Sequence, residues 1–451
     1  MTEWVAAKLS EWAVNLRPQD LSDDVLAKAE DCILDAIASA IPGSQSDGAQ
    51  RVKSVATSSY GPGDANVWFS GEKIHPTGAA FANAASASML DIDDGHRRAN
   101  GHPGAAVVPA VLAAFGPDAN GIDVLTAVVA AYEVCIRAGM SENRRAYHTG
   151  NYTGYGAAVA VARANRLNAE QLMHALAITT YHAPRVADLT LSQDMGANVK
   201  ESIPWSVVAG MSASNLAENG FTGCRDALDI DERFTAGIAL EGLAEGYFPT
   251  GVNGGRESHV IMRTYFKRYA CCRWCHSAIE ALLTIMRRHN LAVEDILNVQ
   301  VDTFRQSANL NNLADPPTLE SAQYSVPYCM AVAAVLGEDA LTPMSVDSLH
   351  NPAAVKLARK MTVTRDKDLD PLFPHQNPSR VIVSTANEVF EEFVTSPWGE
   401  PERSPDRADL LGKFRTLARG RLSGDQMSGI IDAVQGLRLG KMARLHDALI
   451  C

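Results

Sequence analysis

Apolar residues recurring at helical spacing constrain this chain more than any other feature. Val25, Ala29, Ile33, Ile37 and Ile41 stand at every fourth position, which puts all five side chains on one face of a helix. The first residues repeat the pattern with Val5, Leu9, Trp12 and Leu16, broken by Lys8 and Glu11. Alanine-rich runs follow at 78–90, 105–115 and 155–164, and alanine at this density favours helices that pack closely. Ser22 is a good N-cap, with Asp23 and Asp24 in the first turn, and Pro42 with Gly43 stops that helix. The short run Val67, Trp68 and Phe69 reads as a small strand.

The texture changes after Lys267. Ile296 to Phe304, Ser379 to Ser384 and Met361 to Thr364 are rich in β-branched residues and read as strands. Helical stretches are expected near 275–290, 322–336 and 352–360. Residues 406–447 return to helix after the breakers Ser396-Pro397 and Pro401 to Pro405. The fold expected is therefore mainly α: a large all-helical domain of residues 1–268, completed by 402–451, and a smaller α+β domain of residues 269–401. No strand, glycine-loop and helix unit of the dinucleotide-binding type is evident.

A chain of 451 residues with 46% hydrophobic and 20% charged residues buries a large core. Its net charge of −12 argues against nucleic acid or an anionic membrane as main partner. The apolar stretch around Leu125 to Ile136 falls short of the roughly 20 residues of a membrane span. The start reads as an amphipathic helix, not a signal peptide, so a cytoplasmic location is expected. Eight cysteines in so long a chain suit reduced thiols.

Chemistry concentrates in a few segments. Residues 91–104, DIDDGHRRANGHPG, pack three carboxylates, two histidines and two arginines between apolar helices. Asp91, Asp93 and Asp94 can accept protons or hold basic groups, while His96, Arg97, Arg98 and His102 offer donors to an anion. A solvated turn is the plainer reading of that stretch alone. His148 lies in RRAYHTGNYTGYG, ahead of a helix; a lone histidine is more often structural. Lys200 in GANVKESIPW reads on its own as a plain surface charge, and Tyr324 and Tyr328 in YSVPY as core residues. Residues 267–276, KRYACCRWCH, contain the C-x-x-C-H pattern of haem attachment, which is rejected for want of export or redox signals. Zinc lacks a second ligand pair. An iron–sulfur cluster on Cys271, Cys272 and Cys275 is weakened because adjacent cysteines diverge. Buried thiols and no metal are expected.

Taken in order, DIDD followed by GHPGAAVVPA, then Tyr147-His148, Lys200, KRYACCRWCH and YSVPY resemble the MmgE/PrpD family across nearly the whole chain. That resemblance implies a small-polycarboxylate enzyme without a required cofactor, a helical plus α+β architecture, and a homodimer with its site between domains. Members include 2-methylcitrate dehydratases, cis-aconitate decarboxylases and iminodisuccinate epimerases. Position by position, Asp91, His102, His148, Lys200, Lys267, Cys272 and Tyr328 fall where similar decarboxylases have active-site residues. Cys272 stands where animal decarboxylases carry histidine, and Gly95 where threonine is usual.

The roles that follow are Lys200, Lys267 and His102 as carboxylate clamps, with Arg97, Arg98 and Arg273 as helpers. His148 or Tyr328 would serve as base or acid, with Asp91 orienting a histidine and Cys272 touching substrate. The expected activity is dehydration of a hydroxy-polycarboxylate such as 2-methylcitrate. Epimerisation of an iminodisuccinate-like dicarboxylate, cis-aconitate-type decarboxylation and a non-catalytic binding protein are the alternatives.

Overall fold

A computed structural model of the chain describes residues 4–142, 148–185, 192, 194–249 and 256–450. Helices Val5–Asn15, Asp23–Gly43, Pro76–Ser88, Gly104–Ala114, Gly121–Ser141, Thr153–Ala164, Ala169–His182 and Ile203–Glu218 build the first part. Ser22 caps the second of these by accepting from the Val25 N–H at 3.4 Å, as its sequence predicts. The alanine runs become the most buried helices, because small side chains let backbones approach. At the crossing of Thr153–Ala164 with Ile203–Glu218, a Cβ on Gly210 would lie 1.9 Å from the Gly154 carbonyl oxygen, so only glycine fits there. The strand expected over Val67 to Phe69 is shifted: Ala65–Val67 is the strand, paired antiparallel with Glu72–Ile74, and Trp68 and Phe69 lie in the turn between them.

Helix Gly121–Ser141 differs from the expectation of a short apolar stretch. It is long and apolar enough to cross a membrane, yet its apolar window is wholly buried inside the protein. Glu133 and Arg137 inside it pair one helical turn apart at 2.6 Å, so the charges that interrupt the apolar run neutralise each other in the core.

Two hydrophobic clusters organise the chain. One gathers residues from Val5 to Ala270 and resumes with Leu410 to Leu449; the other gathers Met195 and residues from Tyr269 to Val394. The C-terminal helices Arg407–Ala418 and Gly424–Gln435 thus pack on the first cluster. The second is built on a four-stranded sheet in the order Val389–Val394, Ser379–Ser384, Asn298–Thr303, Met361–Arg365. Only the last pair is parallel, with Val301 beside Val363. Val299 and Val301 pair with Val383 and Val381, and these four valines share the buried face covered by helices His276–His289 and Val326–Leu336. The strand Val389–Val394 was not anticipated. It is one of the two edge strands, with a largely exposed face, so Glu391 and Glu392 replace the apolar alternation that marks the inner strands.

Candidate active site

Residues 91–104 leave the C-terminus of helix Pro76–Ser88 through Asp91, which adopts the left-handed conformation with φ +54°. The loop is tied down along its length. Asp94 Oδ1 accepts from the Gly104 N–H at 2.9 Å, where the next helix begins, and Asp94 Oδ2 accepts from Tyr132 Oη at 2.5 Å. Gly95 and His96 pair with Tyr265 and Thr264, and Lys413 Nζ donates to the Ile92 carbonyl at 2.7 Å. A Cβ on Gly95 would sit 2.3 Å from Tyr265 Cζ and Oη. The missing threonine therefore has a packing cause, since the Tyr265 ring occupies its space.

Inside this frame five ionisable side chains converge. Lys267 Nζ donates to Asp91 Oδ1 at 2.6 Å and to the Asp91 carbonyl at 3.0 Å. His102 Nδ1 lies 2.8 Å from the Asp94 carbonyl, a contact that requires the proton on Nδ1 and gives the lone pair to Nε2. That Nε2 is turned toward Asp91 Oδ1 at 3.5 Å and Glu201 Oε1 at 3.9 Å. The His102 N–H donates to Thr149 Oγ1 at 3.2 Å, and Thr149 donates in turn to Glu201. Lys200 Nζ reaches the Ser88 and Met89 carbonyls at 3.1 and 3.3 Å, and Gln323 Oε1 at 3.0 Å. A helix C-terminus is where a cation is favoured. Lys200 and Ser202 both have positive φ, +43° and +56°, and backbone strain of this kind gathers at functional sites.

Burial and charge divide the protonation states. Burial pushes the Asp91 carboxyl up, but Lys267, Lys200 and His102 outweigh it and hold it at about 2. Burial, reinforced by Lys267, lowers His102 to about 3, so its imidazole is neutral near pH 7. Glu201 is raised to about 7 by burial; the same cause raises Asp93 well above the usual carboxylate range. Lys267 is raised by its anionic neighbours against the effect of burial. Among the described residues no carboxylate oxygen lies within 4.0 Å of Lys200 Nζ, whose three hydrogen bonds all go to neutral oxygens. Its three donors are thus taken by the protein, and its charge reaches an incoming anion at longer range or by exchanging one of these bonds.

Ser88, Met89, Asp91, Asp93, His102, residues 198–201, Ile203 and Pro204 line a cavity of only about 10 Å³, little more than room for one water molecule. Ligand cavities run from about 300 to 1,000 Å³, so a polycarboxylate enters only if part of this wall moves. Tyr324 Oη is buried without a hydrogen-bond partner among the described residues, and the Lys200 ammonium lies 5.8 Å from its ring centroid. A larger cavity elsewhere, lined among others by Trp12, Arg137 and His259, contains none of the expected residues.

The other expected residues fall outside this group. Arg97 and Arg273 are spent on Glu400: Arg97 Nε pairs with Oε2, and Arg273 Nε donates to Oε1 at 2.7 Å. All three groups are buried or nearly so, and the carboxylate neutralises charge that was expected to hold substrate. Arg98 lies over the Phe248 ring at 5.3 Å. Tyr328 Oη donates to the Ser348 carbonyl at 2.5 Å, inside the second cluster. His148 Nε2 is 2.8 Å from Glu142 Oε2, and its neighbour Thr149 reaches the site. Tyr147 lies outside the described residues. The Cys272 N–H donates to the Gln323 carbonyl at 2.8 Å, which puts Cys272 beside the Lys200 support.

Reading the sequence alone did not single out Glu201 or Gln323, and it gave Tyr324 only a core role. Among the described residues two groups of side chains have metal-ligand spacing. Asp91, Asp93 and His102 form one, and the Lys267 ammonium stands against it; Cys271, Cys275 and Cys329 form the other.

Residues 7–242 match the MmgE/PrpD N-terminal domain, and residues 269–438 match the MmgE/PrpD C-terminal domain. The chain belongs to the MmgE/PrpD family. It is 28% identical to a cis-aconitate decarboxylase of Aspergillus terreus, covering 99% of this chain and 96% of that protein. A cis-aconitate decarboxylase-like protein of Aspergillus oryzae is 26% identical over 96% and 94% of the two chains. The cis-aconitate decarboxylase of Mus musculus is 23% identical over 94% and 88%. These relatives support an enzyme of lyase type.

Proposed function

We propose that this protein is a cofactor-independent lyase that dehydrates a small hydroxy-polycarboxylate of the 2-methylcitrate kind by proton transfer next to a carboxylate. The observation that carries this reading is the convergence of neutral His102 with Lys200 and Glu201 on one buried cavity, with Lys267 behind it on Asp91. Removing a proton beside a carboxylate leaves an electron pair that spreads into that carboxylate as an enediolate. The Lys200 ammonium, free of a carboxylate partner, stabilises that charge where it develops. His102 Nε2 takes the proton, because Nδ1 is held as donor to Asp94 and the ring starts neutral; such a base contributes roughly 10²–10⁴-fold. The departing hydroxyl needs a proton, which Tyr324 Oη or the protonated Glu201 carboxyl supplies. Asp91 holds Lys267 and faces His102, a positioning role. His148 and Tyr328 take no part in the chemistry on this reading.

Decarboxylation is the second reading, favoured by the names of the full-length relatives. There the carbon–carboxylate bond breaks, carbon dioxide leaves, and the same acids return a proton to carbon. Purified protein is incubated separately with 2-methylcitrate, citrate and cis-aconitate, and unsaturated product and carbon dioxide are both measured. Ultraviolet absorbance rising from a hydroxy acid without gas release supports dehydration. Carbon dioxide from cis-aconitate replaces it with decarboxylation. Solvent deuterium entering a dicarboxylate without elimination means epimerisation, and inertness toward the whole panel overturns the assignment.

A further inference from the structure

The cysteine-rich segment that the proposed chemistry leaves unused acquires a member from elsewhere in the chain. Cys329, in the first turns of helix Val326–Leu336, brings its sulfur to those of Cys271 and Cys275, and all three lie within 4.8 Å of one another. Cys275 also touches the Cys272 thiol, so its sulfur contacts three others. All four cysteines are fully buried. Sulfurs this close have a common point within about 2.8 Å of all three ligating atoms, and modest side-chain rotation closes that to the ~2.3 Å of a zinc–thiolate bond. Buried thiols used only as small apolar groups have no reason to face one another, because S–H groups are weak donors and acceptors. The obstacle to shared ligation by adjacent cysteines is also removed: Cys271 joins the trio directly, and Cys272 approaches only through Cys275.

We propose that Cys271, Cys275 and Cys329, with Cys272 as a fourth donor, form a binding site for one thiophilic divalent ion of the zinc class. Each ligating thiol gives its proton to solvent as its sulfur bonds to the incoming ion, and no electrons are transferred. Three sulfurs are already gathered, and rotation of the Cys272 side chain toward them would supply the fourth donor that a closed structural tetrahedron needs. It lies under the candidate active site: the Cys272 N–H holds the Gln323 carbonyl at 2.8 Å, Cys329 Sγ lies 3.3 Å from the Ala322 carbonyl, and Gln323 Oε1 holds Lys200 at 3.0 Å. An ion there fixes the floor on which Lys200 stands. The proposal does not depend on which reaction the cavity performs.

The test uses the full chain, reduced and stripped with a chelator, titrated with cadmium as spectroscopic probe and with zinc by equilibrium dialysis. One ion per chain and a thiolate-to-cadmium charge-transfer band are expected. Cys329→Ser should weaken binding more than about 100-fold, beyond the usual cost of losing an outer contact, whereas Cys224→Ser, at an exposed thiol, should leave it unchanged. Circular dichroism checks that Cys329→Ser is folded. Alkylation mapping of the unsubstituted protein in mild denaturant, where buried thiols become reachable, gives an independent readout: zinc should protect Cys271, Cys275 and Cys329 but not Cys32 or Cys135, all of them buried in the native fold. Absence of stoichiometric binding, full binding by folded Cys329→Ser, or equal labelling with and without zinc overturns the site.

Discussion

Lys267→Met tests the electrostatic frame of the cavity without needing a substrate. Methionine keeps much of the lysine stem but removes the ammonium 2.6 Å from Asp91 Oδ1. Lys267 is 0% exposed and Asp91 3%, so the carboxylate left behind cannot be rescued by water. Its pKa in the intact site, lowered from 3.8 to about 2, corresponds to roughly 2–3 kcal/mol favouring the ionised form at 1.36 kcal/mol per unit. Because the folded value is the lower one, this stabilisation is present above about pH 4 and is lost as pH falls toward 2. Removing one partner of a buried pair costs about 3–5 kcal/mol. Chemical denaturation at pH 7 should therefore show that loss for Lys267→Met, and Lys267→Met with Asp91→Asn should recover more than half of it, since the stranded charge is gone. Asparagine tolerates the left-handed backbone at position 91, so the second change adds little strain. A loss below about 1 kcal/mol for Lys267→Met, or no recovery in the double variant, refutes the reasoning.

Three further outcomes follow from the geometry. Glu201, raised to about 7 by burial, is protonated below that pH and becomes a buried anion above it; kcat/KM should fall above pH 7, and Glu201→Gln should flatten that limb of the profile. Tyr324→Phe should lower kcat by about 10²-fold or more, whereas Tyr328→Phe, which loses only the bond to Ser348, should cost about 1 kcal/mol of stability and leave kcat near its original value; equal kinetic losses in both contradict the assignment. Gly95→Ala should destabilise by about 1–3 kcal/mol through overlap with Tyr265, seen as a lower melting temperature, and a Tyr265→Leu background should relieve most of the loss.

Much of this site was legible in the sequence because its members sit in local motifs. Asp91 and His102 share one loop, and Lys200 and Lys267 stand in recognisable segments. Glu201 was hidden by its position next to Lys200, where adjacent residues ordinarily point apart; positive φ at Lys200 and Ser202 turns both toward the cavity. The adjacent opposite charges just before a proline-initiated helix were the available signal. Arg97 and Arg273 looked like anion receptors because their counter-ion, Glu400, is 303 and 127 residues away, in a proline-rich stretch that reads as a breaker. The helices were read well because alanine and isoleucine periodicity is local. The edge strand Val389–Val394 was not, because its pattern is set by which face meets water.

The distance between Arg97 and Glu400 also has a meaning in time. A ribosome adding about 5–20 residues per second delivers Glu400 roughly 15 s to a minute after Arg97, and Lys413, which holds the Ile92 carbonyl, later still. Through that interval the loop carrying Asp91 and His102 has emerged while two of its clamps do not yet exist. The site is completed only near the end of translation, so a polypeptide arrested before residue 400 should bear the recognisable motif and lack the organised cavity.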